Sequence, residues 1–176
     1  MEDLASTRAE GDRLQPALLD RLTDDEPGQK TEAAHSAVVS KTRLKRTVLR
    51  DLIWLLNTTA HHTSNQLDDY PQVRTSVINF GIPVLSGKNF SGVDWRELEH
   101  QIRNAILAFE PRILPDSLTV KTLTPADMLG HHNLLQFELH GELWSMPFPI
   151  ELLLRSELDL ETGYIKLTDQ LATGAG

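Results

Sequence analysis

The chain has 176 residues, a net charge of −8, 40% hydrophobic and 24% charged residues, and no cysteine. This composition fits a globular domain with an arm or tail; it excludes disulfides and thiolate metal sites and makes a reducing cytosol the natural compartment. The acidic balance argues against a nucleic-acid binder. With no apolar run near the ~20 residues of a membrane span, and no secretory signal in Met1-Glu2-Asp3-Leu4, no direct membrane insertion is expected.

Residues 1–39 read as a mobile acidic arm. Residues 1–32 hold nine acids against four bases, and Pro16 and Pro27-Gly28 break the segment. One short helix interrupts it over residues 14–22, where Leu14, Leu18 and Leu22 share a face. It packs on its own domain or docks on a partner; the pattern leaves both open. A long helix follows, starting near Ser40 or Thr42 and running to Asn57. Leu44, Val48, Leu52 and Leu55 form its apolar stripe. Lys41, Arg43, Lys45, Arg46 and Arg50 make its first half strongly basic, which is a solvated face or a surface for an acidic partner.

Residues 58–69 form a polar loop with His61-His62. Val77, Ile78 and Phe80 suit a short strand or buried turn before the break at Gly81-Ile82-Pro83. Asp94, with Glu97 three residues on, has the spacing of a capping box and opens a second helix. Trp95, Leu98, Ile102, Ala105, Ile106 and Phe109 line one face of that helix, and Pro111 stops it. The period then changes to two. Leu118–Thr122, Leu135–Leu143, Ile150–Leu160 and Tyr164–Leu167 alternate as strands, with a turn at Glu161-Thr162-Gly163. The tail from Thr168 to Gly176 is expected to be disordered. The fold class is α+β in two layers: N-terminal helices packed on a small antiparallel or mixed sheet of about four strands, spanning residues 40–167.

Phe109-Glu110-Pro111-Arg112-Ile113 fixes an acid and a base at a rigid corner. As a general acid Glu110 is poorly placed, because a neighbouring cation favours the ionised form and no second carboxylate is singled out. His61-His62 and His131-His132 are adjacent pairs without metal-ligand spacing, and Ser86-Gly87-Lys88 lacks the rest of a phosphate loop. No catalytic residue, metal or cofactor is therefore assigned. The corner remains either an internal lock or a docking point whose Arg112 makes bidentate contacts. The end of the meander, with Ile150–Leu160 and the last short strand, offers an edge for a strand from another chain.

Four segments in order carry a family resemblance: Leu18-Leu19-Asp20-Arg21-Leu22, Arg50–Asn57, Tyr70–Gly81 and Phe109–Ile113. Together they resemble the TssE family of type VI secretion baseplate wedge subunits. That family is similar to the wedge proteins of contractile phage tails, often labelled lysozyme-like. The resemblance implies a non-enzymatic cytoplasmic protein, assembled through the baseplate at the inner membrane. It would join the TssF and TssG wedge proteins and seed the sheath (TssB/TssC) by sheet complementation, with TssK and the spike–tube hub as further partners. It implies partner-binding roles for Glu110, Pro111 and Arg112, and the arm residues Leu18, Leu19, Arg21 and Leu22 are candidates beside them. One departure is Val84, where relatives tend to carry an acid. The alternatives are a phage tail wedge protein and a peptidoglycan-cleaving hydrolase.

Overall fold

The computed structural model describes residues 18–22, 40–61, 67, 69–84, 94–123, 134–145 and 147–173. The expected extension of the first helix back to Leu14, the residues His62 and His131-His132, and Ser86-Gly87-Lys88 lie outside them. In chain order the elements are α1 (Leu18–Leu22), α2 (Lys41–Leu56), α3 (Pro71–Arg74), a 3-10 turn (Val77–Asn79), α4 (Trp95–Phe109), β1 (Thr119–Leu123), β2 (Leu134–Leu143), β3 (Ile150–Asp159), β4 (Ile165–Asp169) and α5 (Gln170–Thr173). The four strands form an antiparallel meander in the order β1-β2-β3-β4.

Sequence chemistry sets the helix ends. Ser40 caps α2, its hydroxyl accepting from the Arg43 amide, and Asp94 caps α4 by accepting from the Arg96 and Glu97 amides. The Glu97 carboxylate meanwhile accepts from Gln101 one turn on. Pro111 lacks an N–H, and α4 ends with Glu110 as its C-cap.

Packing then decides the architecture. α2 buries Leu44, Val48, Leu52, Leu55 and Leu56, and α4 buries Leu98, Ile102 and Ile106. These meet the inward residues of the sheet, with Phe137, Leu139, Leu154, Leu158 and Ile165 at its centre. α4 lies along β1, α2 lies along β4, and the two helices touch. Each fully buried leucine contributes about 2 kcal/mol, so this apolar face, and no single ion pair, holds the layers together. The one buried polar side chain among the inward residues of β3, Ser156, donates to the Phe137 carbonyl at 3.0 Å.

Three expectations change. β3 is a central strand, paired on both sides, so the edge belongs to β1 and β4 alone. β4 continues to Asp169 and a helical turn follows it, so ordered chain extends beyond Leu167. Val77 and Ile78 form a 3-10 turn, not a strand, and are 84% and 75% exposed. Of the three apolar residues only Phe80 turns inward, beside the buried Asn79, and it meets the Phe109 ring edge-on at 5.2 Å.

Candidate functional site

Glu110 sits at the end of α4 and is only 3% exposed. Its Oε1 accepts from the Arg112 amide at 3.1 Å and from Arg112 Nε at 2.6 Å, while its Oε2 takes Arg112 Nη2. The guanidinium thus grips the carboxylate with a two-pronged fork. Arg112 Nη2 also reaches Asp51 on α2, and Nη1 lies 3.4 Å from the Thr47 hydroxyl. Asp51 in turn accepts from Arg50 Nε at 2.9 Å, and Arg50 Nη1 donates to Asp20 of α1 at 2.7 Å. The result is a ladder of alternating charge, Glu110–Arg112–Asp51–Arg50–Asp20, which crosses from α4 over α2 to the arm helix.

The electrostatics are consistent with this geometry. Burial works against the charge of Arg112, but Glu110 first and Asp51 next outweigh it, so its pKa stands above the ordinary arginine value. Arg50 is also raised, chiefly by its hydrogen bond to Asp20. Its guanidinium lies 5.2 Å from the Trp54 ring centroid.

Glu110 faces inward and both its oxygens are occupied by Arg112, the geometry of an internal lock. Pro111 is exposed, and the Arg112 side chain keeps a quarter of its surface open. Among the described residues no second acid faces Glu110 across a cleft, and a carboxylate gripped in this way does not fit the role of general acid. The chain beyond the corner joins the sheet. Ile113 bridges Leu143, Leu114 donates to the Glu142 carbonyl, and Trp144 donates to the Arg112 carbonyl, both at 2.8 Å.

The arm helix presents the reverse of the usual polarity. Asp20 points in to Arg50, while Leu18, Leu19 and Leu22 are 70%, 45% and 74% exposed. The side chain of Arg21 is outside the described residues. Val77-Ile78, Tyr70, Trp144 and Phe148 are further exposed apolar residues that sequence reasoning did not assign to a surface. Phe148 lies in the prolyl stretch between β2 and β3, where no period marks which side faces out.

The two sheet edges are guarded unequally. On β1 the Thr122 amide donates to Glu99 of α4 at 2.6 Å, and Arg103 of α4 donates to the Leu118 carbonyl at 3.1 Å. These bonds bracket Val120 from both sides. On β4 the Ile165 amide donates to Asn57 Oδ1 and the Ile165 carbonyl accepts from Asn57 Nδ2, each at 2.8 Å. An open recess of about 370 Å³ lies at that end, lined by residues that include Leu56, Asn57, Ile82, Pro83, Gly163 and Tyr164. Among the described residues that line it, Tyr164 is the only titratable one. Among the described residues no group of three or more His, Asp or Glu is placed to hold a metal ion, and no helix is long and apolar enough to cross a membrane.

A small α+β domain with a charge-locked helix pair and an accessible strand edge has the features of an assembly protein. Residues 42–147, more than half of the chain, match the family model described as baseplate wedge protein gp25, and the chain belongs to that family. The family is structural and non-enzymatic, and its members work among baseplate and sheath proteins. No curated protein and no solved structure matches the chain.

Proposed function

We propose that this protein is a structural subunit of a type VI secretion baseplate, working on the cytoplasmic side of the inner membrane. In this reading it joins the TssF and TssG wedge proteins and seeds sheath assembly by pairing β4 with a strand of a sheath subunit. The observation that carries the reading is the inequality of the edges. Among the described residues, an incoming strand at β1 must displace two charged side chains from α4, whereas at β4 it meets one neutral amide at one end. Wedge proteins contact the exposed side of the corner, Pro111 and the open part of Arg112, while Glu110 holds Arg112 from behind. Leu18, Leu19 and Leu22 add an apolar docking surface on the arm helix, whose Asp20 tether lies outside the matched residues.

The absence of cysteine provides the test. A single Lys166→Cys change on the exposed side of β4 creates a unique cross-linking site. In the native cell it should capture a sheath subunit, and a Lys121→Cys change on β1 should capture none. Sheath capture at position 121 with none at 166 would overturn the edge assignment. Capture of phage tail proteins in place of secretion proteins would overturn the secretion reading.

A further inference from the structure

Asn57 ends α2, but its side chain does more than finish a helix. Its Nδ2 donates to Ile53 of α2 at 2.9 Å and to Ile165 of β4 at 2.8 Å, and its Oδ1 accepts from the Ile165 amide at 2.8 Å. A primary amide has one acceptor and one donor group, and here both face a single strand residue. That is the bonding pattern of a residue on a neighbouring antiparallel strand.

Alternation fixes the rest of the edge. Ile165 bonds outward to Asn57, while its neighbours Lys166 and Thr168 face Glu157 and Arg155 in the β3 ladder. Leu167 must therefore point its N–H and C=O outward, as Ile165 does. No partner for those two groups is present among the described residues. Among the described residues, Asn57 thus occupies the first rung of the β4 edge and leaves the next one open.

We propose that Asn57 is an edge guard that sets register. By filling the Ile165 rung it stops a guest strand there and makes Leu167 the rung at which pairing must begin. The occupant is an extended stretch of main chain from another polypeptide, because the site already binds a peptide-like amide. Register matters here because a slip of one residue would turn every guest side chain to the opposite face. The recess beside Asn57 lies where the guest chain turns away. The proposal rests on the reading that β4 receives a strand, yet the clamp itself can be tested in the isolated protein.

The experiment is amide exchange by NMR on the full chain, comparing wild type, Asn57→Ala and Asn57→Asp. In wild type, Ile165, Lys166 and Thr168 should be protected and Leu167 should exchange fast. Asn57→Ala should speed exchange at Ile165 by about tenfold or more while Lys166 and Thr168 hold. Asn57→Asp keeps the acceptor for the Ile165 amide but sets an oxygen against the Ile53 and Ile165 carbonyls, so Ile165 should exchange faster than in wild type and more slowly than in Asn57→Ala; Lys166 and Thr168, protected in all three, separate loss of the clamp from loss of the fold. Unchanged protection of Ile165 in the alanine variant overturns the proposal, as does a wild-type Leu167 protected like Thr168. In the cell, cross-links from Lys166→Cys should fall on one guest residue with Asn57 present and spread over several with Asn57→Ala. If exchange behaves as described but β4 captures no sheath strand, the strand-accepting function fails and the clamp stands.

Discussion

Replacing Arg112 with alanine removes the centre of the ladder and leaves Glu110 inside the protein without a cation. Glu110 is 3% exposed and loses hydrogen bonds on both oxygens, while Asp51 loses one of its two arginines. Breaking a buried ion pair from one side costs about 3–5 kcal/mol. Arg112 retains a quarter of its surface in water, which places the loss near the lower end, about 3 kcal/mol. For a chain of this length that lowers the melting temperature by about 6–12 °C. The assay is thermal and urea unfolding followed by circular dichroism. Adding Glu110→Gln to Arg112→Ala should restore about half of the loss, because the stranded charge is its main cause. A melting temperature unchanged by Arg112→Ala would refute the lock and return the corner to a purely external role.

Other consequences follow from the same geometry. Gly81 has φ of +129°, and an added Cβ would stand 2.3 Å from the Thr58 carbonyl oxygen. Gly81→Ala should therefore cost at least about 2–3 kcal/mol in urea unfolding. Asp20→Ala should barely change global stability, by less than about 1 kcal/mol for a pair whose arginine is a third exposed. It should nevertheless speed proteolysis at Arg21, because α1 is too short to persist untethered. The Asp159 carboxyl is held below its ordinary pKa by the backbone amides of Glu161 and Thr162. Its stabilising contribution is thus present above the unfolded pKa of about 3.9 and is lost as pH falls through the lower folded value. Asp159→Asn should be less stable than wild type at neutral pH, and the difference should close in acid.

Much of the fold was legible because local signals agreed. Ser40, Asp94 and Pro111 mark helix ends through hydrogen-bonding capacity alone, and the period-two runs from Leu135 to Leu160 place β2 and β3 within a residue or two. The class of protein was legible through four short segments read together. Strand order was not legible, since pairing on both sides of β3 depends on where β4 folds back. The direction of Glu110 was hidden for a similar reason: the Arg112 that grips it is itself anchored by Asp51 and Thr47, some sixty residues away in sequence. Asn57 reads in sequence as an ordinary helix end. Its second role exists only because β4 comes within 2.8 Å of it from 108 residues further on. Val77 and Ile78 mislead because apolar residues at a turn carry no signal of which way they point.

The most direct measurement is purification of the tagged, full-length protein from its native cell after in-cell cross-linking, with partners identified by mass spectrometry. Recovery of TssF and TssG together with sheath subunits is the predicted result. Recovery of phage tail proteins, or of neither wedge nor sheath components, would contradict it.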